Sequence, residues 1–181
     1  MKKLLGFSIF LVFVLIASLT AEAKVTLPAI FSDNMVLQQN TQVNVWGKAA
    51  PGEKVTVKAS WLDKAVTAKA AANGKWTVKL KTPKATTNQS VTVSGENEIT
   101  INNVLIGEVW LCTGQSNMEF PVSRHPDVKW NTGMLNEAEE LKDADYPEIR
   151  LFHVKHQLAH EGELDDCEGE WLVCNPKNLY D

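Results

Sequence analysis

The strongest constraint on the fold is a strict alternation of polar and apolar residues between Lys75 and Lys81. Trp76, Val78 and Leu80 fall on one face of an extended strand, because successive side chains of a strand point to opposite sides. The apolar face of such a strand has to pack against a second layer of the protein. The segment therefore predicts a sheet with one solvated face and one face in a hydrophobic core.

Four shorter segments of residues 24–104 show the same alternation: Val43–Trp46, Val55–Val57, Val91–Val93 and Ile99–Ile101. Turn-forming residues separate these segments, at Ser32–Asn34, Pro51–Glu53, Asn73–Gly74 and Gly95–Asn97. Short strands at a spacing of about ten residues are typical of β-sandwiches. Residues 24–104 are therefore predicted to form an all-β sandwich or jelly-roll-like domain.

Two kinds of surface residue in this domain bear on binding. The lysines and threonines at the alternate strand positions predict a solvated face, not a binding patch. Trp46, Trp61 and Trp76 have two interpretations: they belong to the core, which large aromatic side chains favour, or they line a platform for a sugar.

The first 23 residues have the pattern of a secretory signal peptide. A basic start at Lys2 and Lys3 precedes an apolar run from Leu4 to Leu19, and Ala21–Ala23 supplies the small residues of a cleavage site. We expect cleavage after Ala23 and a product exported to the periplasm or the extracellular space, without a membrane span. That product carries 16 basic and 21 acidic residues, and a net charge of about −5 argues against nucleic acid as a partner.

Residues 105–181 predict the start of an α/β domain. The apolar run Val109–Cys112 predicts a buried strand. Residues 131–144 are predicted to be helical, and Ile149–Val154 is a good strand, which would be the second parallel strand after a helical crossover. A short strand or turn is expected at residues 169–176. No flexible linker separates the two parts, so we expect them to pack against each other.

A serine lies just after the run Val109–Cys112. Gly114 ends the predicted strand, and Ser116 and Asn117 are residues that favour a helix start. A strand, tight turn and short helix would expose the Ser116 hydroxyl and leave the backbone N–H of Ser116 free to stabilise an oxyanion. The alternative is that Ser116 only caps the helix.

The segment Gly107–Pro121, with the sequence GEVWLCTGQSNMEFP, resembles the nucleophile block of the sialate O-acetylesterase family, which belongs to the SGNH-type hydrolases. Leu27–Gln38 and Val45–Glu53 resemble the beginning of the same enzymes. The resemblance implies that Ser116 is the nucleophile and a backbone oxyanion donor. It also implies that Gln115 and Asn117 adjoin the substrate pocket, and that an O-acetylated sialic acid is the substrate. It implies no metal and no organic cofactor.

A serine nucleophile needs a histidine base, usually oriented by a carboxylate. In SGNH-type hydrolases these two residues lie near the C-terminus in an Asp-x-x-His arrangement. None of the four histidines, His125, His153, His156 and His160, has this context. The chain is therefore expected to be the N-terminal portion of such an enzyme, with an incomplete hydrolase domain, and to be inactive or nearly so by itself.

Two alternatives are open within the sequence. The chain is a non-catalytic, secreted, glycan-binding sandwich, or an esterase that acts on acetylated plant polysaccharide. Among the three cysteines, Cys112 is expected in the core, and Cys167 and Cys174 are candidates for a disulfide because the chain is exported. No Cys/His spacing is typical of a zinc site.

Overall fold

The computed structural model describes residues 24–120, 122–124, 133–160 and 162–179. The predicted signal peptide, residues 1–23, and His125 lie outside these residues. The described part contains nine β-strands, one short α-helix and one 3-10 turn, so the protein is mostly β. No helix within the described ranges is long and apolar enough to cross a membrane.

Seven strands form the first part of the chain, and their bounds are β1 (Val36–Gln38), β2 (Gln42–Lys48), β3 (Lys54–Ala59), β4 (Val66–Lys69), β5 (Lys75–Lys81), β6 (Thr86–Ser94) and β7 (Glu98–Gly107). Five of them form a sheet in the order β1-β7-β6-β3-β4, and β2 and β5 form a separate antiparallel ribbon. β1 runs parallel to β7, whereas the other neighbours are antiparallel, so the larger sheet is mixed. Each predicted alternating segment lies in one of these strands.

One hydrophobic core joins the ribbon to the larger sheet. Trp76, Val78 and Leu80 of β5 are buried, as the alternation predicts, and they belong to the same cluster as Val57 of β3 and Val93 of β6. Trp76 packs so closely over Gly47 that a Cβ there would lie 2.9 Å from the indole ring and 2.2 Å from the Thr26 carbonyl oxygen. A glycine is therefore required at this crossing.

Two β-bulges bend the long pair β6–β7. From Ile101 to Val104, β7 advances by three residues while the paired stretch of β6, from Val91 to Gln89, advances by two. From Gln89 to Thr86, β6 advances by three residues while β7, from Val104 to Ile106, advances by two. An asparagine with positive φ lies in each irregular stretch, Asn103 at 53° and Asn88 at 55°. Asparagine tolerates this left-handed conformation better than most residues. The adjacent asparagines Asn102 and Asn103 predict a turn in the sequence, but both lie inside the continuous strand β7.

The bulge in β7 changes which residues face inward. Ile99 and Ile101 point to the core before it, whereas Val104, Leu105 and Ile106 are all buried after it. Without the extra residue, Val104 and Ile106 would exchange faces of the sheet with Leu105. The strand continues to Gly107, through the predicted domain boundary at residues 104 and 105.

The second part of the chain differs from the α/β prediction. Its elements are a 3-10 turn (Ser116–Glu119), α1 (Glu137–Asp143), β8 (Tyr146–Phe152) and β9 (Trp171–Cys174). The strand predicted around Ile149 is confirmed, as is the short tail strand. However, β8 pairs with β9 in an antiparallel hairpin, so the expected parallel pairing is wrong. In this hairpin the backbone groups of β8 and β9 bond to each other directly. An antiparallel pair does not need the crossover connection that a parallel pair requires.

The buried strand predicted at Val109–Cys112 is also wrong. Residues 108–114 form no strand, and Trp110 and Leu111 are 83% and 89% exposed. No strand within the described residues pairs with this segment, so its backbone groups take no part in a β-ladder. Cys112 is exposed rather than in the core, and Cys167 and Cys174 are both free, so they form no disulfide.

The helix prediction is confirmed only in part. α1 covers seven residues of the predicted range 131–144 and buries none of them, because residues on its surface are mostly charged. Residues 131 and 132 lie outside the described residues.

Trp171 of β9 and the coil that precedes β9 contact the first part of the chain, as expected from the absence of a linker. The Trp171 indole N–H donates to the Ile30 carbonyl at 2.8 Å, and the Ala29 N–H donates to Asp166 Oδ1 at 3.0 Å. Asp165 forms ion pairs with Lys48 and Lys75 at the end of the ribbon. These contacts fix the position of the second part on the first.

The core analysis gives a stability prediction. Leu80 is fully buried, so Leu80→Ala should lower the free energy of unfolding by about 2–5 kcal/mol, measured by urea denaturation. Lys81→Ala, on the exposed side of the same strand, serves as the control and should change it by less than about 0.5 kcal/mol. Equal effects of the two substitutions would contradict the assignment of faces.

Candidate active site

The candidate site begins where β7 ends, and a cluster of polar side chains holds that point. Glu108 accepts hydrogen bonds from the side-chain amides of Gln38 at 3.0 Å and Gln39 at 2.7 Å. The Val109 N–H donates to the side-chain carbonyl oxygen of Gln38 at 2.9 Å. The coil that follows β7 is therefore anchored to the end of β1, its parallel neighbour in the sheet.

These amide donors hold the pKa of the Glu108 carboxyl below its ordinary value, because they stabilise the charged form. The cluster could not be predicted from the sequence, since Gln38 and Glu108 are 70 positions apart. Only the parallel pairing of β1 with β7 brings them together. A short strand such as β1 gives no periodic signal from which that pairing could be found.

Ser116 opens the 3-10 turn that follows the coil. Gln115 occupies the N-cap position in an extended conformation, and no side chain caps the turn. The Met118 N–H donates to the Gln115 carbonyl at 2.8 Å and closes the turn. Ser116 is thus the first residue of the turn rather than its cap.

Gly114 is required by the same turn. A Cβ on Gly114 would lie 2.7 Å from Met118 Cγ, closer than real Cβ contacts allow. The glycine therefore lets the chain fold back so that the Met118 side chain lies against it. The sequence predicts a turn at this glycine, but the strand that the turn would end does not form.

Gln115, Ser116 and Asn117 are all exposed, and they are brought together simply by their adjacency. The Ser116 hydroxyl makes no hydrogen bond to another described residue. A free hydroxyl at the start of a turn is accessible to a substrate. It is also unactivated, because a serine needs a neighbouring base to lose its proton.

His153, His156 and His160 lie in the exposed coil after β8. No hydrogen bond joins Ser116 to any of these three histidines within the described part of the chain. Within the described ranges, no group of three or more His, Cys, Asp or Glu side chains could hold a metal ion. The site therefore contains a candidate nucleophile without an identified base.

The three tryptophans of the sandwich separate into different roles. Trp76 is buried in the core. The Trp61 indole N–H donates to the Lys81 carbonyl at 2.9 Å, which ties that ring to the end of β5. Trp46 is 39% exposed on the outer face of the ribbon. Of the three residues considered for a sugar platform, Trp46 is the most exposed.

The fold is similar to part of a carbohydrate acetylesterase. A solved structure of a carbohydrate acetylesterase from Xanthomonas citri matches 86% of this chain with a TM-score of 0.75 and 30% sequence identity. The match covers 34% of that enzyme. The similarity supports a mostly β protein with a curled mixed sheet.

The sequence relatives agree with the structural match. The sialate O-acetylesterase of Mus musculus is 31% identical over 150 residues, covering 76% of this chain, and that of Rattus norvegicus is 31% identical over 165 residues, covering 83%. The chain is thus homologous to the sialate O-acetylesterase family, which confirms the resemblance found in the sequence. It spans 26% and 29% of the length of these two relatives. No protein-family model matches the chain.

The Glu108 cluster gives a pH prediction. Because the pKa of Glu108 is lowered in the folded state, its contribution to stability is present above the ordinary glutamate value of 4.5. That contribution is lost as the pH falls through the lower folded-state pKa. Glu108→Gln should therefore lower the thermal midpoint at neutral pH and have a smaller effect well below pH 4.5.

The control for this measurement is Glu98→Gln, which removes a carboxylate at the start of β7. Glu98 accepts a hydrogen bond from Ser94. This substitution leaves the Gln38 and Gln39 contacts intact. A Glu108→Gln effect that does not depend on pH would contradict the role assigned to the charged carboxylate.

Proposed function

We propose that the chain is the N-terminal portion of a serine esterase that removes O-acetyl groups from sugars, with O-acetylated sialic acids as the substrate. The observation that carries the proposal is the homology to acetylesterases at about 30% identity over most of the chain. The exposed Ser116 at the start of a turn is consistent with it. The sialic acid specificity rests on the names of the curated relatives, which are sialate O-acetylesterases.

In the proposed reaction, the Ser116 oxygen attacks the acetyl carbonyl and its proton passes to a base. The sugar hydroxyl leaves with a proton, and an acetyl-serine remains. Water then attacks the acetyl-serine, releases acetate and restores the serine. The Ser116 N–H, which has no acceptor in the first position of the turn, donates to the negative oxygen of each tetrahedral intermediate. Gln115 and Asn117 flank the position of the acetyl group.

The proposed hydrolase part, residues 105–181, is the start of an SGNH-type α/β domain that follows a jelly-roll-like sandwich, residues 24–104. The exposed run Val109–Cys112 supports this organisation, because four consecutive apolar residues lie in solvent. Exposed apolar stretches of this kind mark surfaces that another part of a protein covers. The covering surface would come from a larger domain of which residues 105–181 are the start.

The catalytic base is expected from that larger domain, in an Asp-x-x-His arrangement like that of the SGNH-type hydrolases. The chain by itself is accordingly expected to be nearly inactive, because none of the described residues provides an identified base for Ser116. An alternative substrate is acetylated plant polysaccharide, which the same nucleophile chemistry would serve. The carbohydrate acetylesterase from Xanthomonas citri is a relative whose name does not specify sialic acid.

A chimaeric enzyme tests the role of Ser116. Residues 24–181 would replace the matching third of the Xanthomonas citri esterase, and acetate release would be measured from O-acetylated sialic acid and from acetylated xylan. The chimaera should release acetate, and Ser116→Ala should reduce kcat at least about a thousandfold. A fluorophosphonate probe should label the chimaera at Ser116 and leave the chain alone almost unlabelled, because the base is missing.

The control is Ser60→Ala, which removes another exposed serine hydroxyl, in the turn after β3. It should retain activity. A folded chimaera whose activity survives Ser116→Ala would overturn the assignment of the nucleophile. Faster release from acetylated xylan than from sialic acid would favour the alternative substrate.

Export is the second testable part of the proposal. Residues 1–23 act as a cleaved signal peptide, so expression of the full chain in a Gram-negative host should give a periplasmic product that begins at Lys24. N-terminal sequencing of that product measures the cleavage site directly. Replacing two apolar residues of the run with arginine, as in Leu11→Arg with Leu15→Arg, should hold the protein in the cytoplasm. An uncleaved periplasmic product would contradict the prediction.

A further inference from the structure

The outer face of the ribbon β2–β5 presents a regular array of polar and aromatic side chains. Opposite residues of the two strands lie side by side on this face, and all of them are exposed. The cross-strand pairs are Gln42 with Lys81, Asn44 with Lys79, Trp46 with Thr77, and Lys48 with Lys75. Side chains in such pairs are close enough to contact one ligand together.

This face is positively charged, although the chain as a whole is acidic. It carries Lys48, Lys75, Lys79 and Lys81, and neither strand contains an aspartate or glutamate. The chain has a net charge of −4. A local excess of lysines on an acidic protein selects a small anion rather than a long polyanion, which the remaining surface would repel.

One end of the face already binds a carboxylate. Asp165 Oδ2 lies 3.1 Å from the Lys48 ammonium, and Asp165 Oδ1 lies 2.5 Å from the Lys75 ammonium. Lys79, on the other side of the Trp46–Thr77 pair, has no ion pair among the described residues. A carboxylate can therefore pair with Lys79 without displacing Asp165.

Trp46 supplies a flat apolar surface between these lysines. Its ring makes an edge-to-face contact with Phe31, with the centroids 4.6 Å apart and the planes at 81°. This contact holds the indole in place while 39% of the residue stays exposed. A fixed aromatic ring stacks on the C–H face of a sugar at a small cost in conformational entropy.

We infer that Asn44, Trp46, Thr77 and Lys79 form an accessory binding site for a sugar that carries a carboxylate, separate from Ser116. The sugar ring stacks on Trp46, its hydroxyls contact the Asn44 amide and the Thr77 hydroxyl, and its carboxylate pairs with Lys79. The sequence predicts a solvated face for the lysines and threonines and leaves Trp46 open between the core and a sugar platform. The cross-strand register is what brings Trp46 and Lys79 onto one face.

The binding site is tested with the full exported chain, labelled with nitrogen-15 and titrated with N-acetylneuraminic acid. Its methyl ester is the matched ligand, since it keeps the ring and removes the charge. We expect amide shifts at residues 44, 46, 77 and 79 and a Kd at least about tenfold weaker for the ester, as loss of a charge-assisted contact implies.

Three variants locate the site. Lys79→Gln, an exposed position that leaves the fold unchanged, should weaken binding about tenfold, and Trp46→Ala should remove it. Lys58→Gln removes the same charge from an exposed position of β3 in the other sheet and should have no effect. Ser116→Ala should also bind normally, which separates this site from the proposed esterase centre.

Four results would overturn the inference. They are equal binding of the acid and the ester, unchanged binding in Lys79→Gln, shifts confined to the residues around Ser116, and equal shifts at the four residues with an acidic peptide such as tetraglutamate. None of them bears on the chimaera experiment, so this site and the esterase proposal fail or succeed independently.

Discussion

The ribbon β2–β5 imposes the constraint on which the rest of the fold depends, because a two-stranded sheet is marginal in water until its apolar face is covered. Trp76 is the largest side chain on that face, and it approaches the backbone closely only because residue 47 is a glycine. The five-stranded sheet has to curl to cover the ribbon. The bulges at Asn88 and Asn103 provide this curvature and keep the apolar residues of β7 in the core.

The contacts between the two parts of the chain differ from those within the sandwich. The sandwich is held by buried apolar surface, whereas the second part is joined through exposed groups such as Asp165, Asp166 and Glu108. Exposed ion pairs contribute little to stability but they fix orientation. Polar contacts therefore position the second part on the sandwich, and the sandwich core does not depend on them. Trp171 differs from these polar groups, because it is partly buried and packs against that core.

The strands of the first part could be predicted from the sequence because most of them are buried on one face and exposed on the other, which produces alternation. Lys75–Lys81 shows this in full. The pairing of β1 with β7 could not be predicted, since β1 has only three residues and its partner is distant. The prediction failed at Val109–Cys112 for a related reason: an apolar run indicates burial only where a second surface is present to cover it. The turn at Gly114 and Ser116 could be predicted because the conformational preferences of glycine and serine act on the adjacent chain. The base for Ser116 could not be predicted, because it involves long-range contacts that no local pattern reveals.

The paired bulges have a consequence for how this sheet can change during evolution. Each adds one residue to one strand, and together they restore the match between β6 and β7. Loss of Asn103 alone would shift the remainder of β7 by one position and exchange the faces that Val104, Leu105 and Ile106 occupy, while loss of Asn88 alone would misalign the partner strand. Deletions at the two positions should therefore be found together or not at all among homologues, as a coupled change in length.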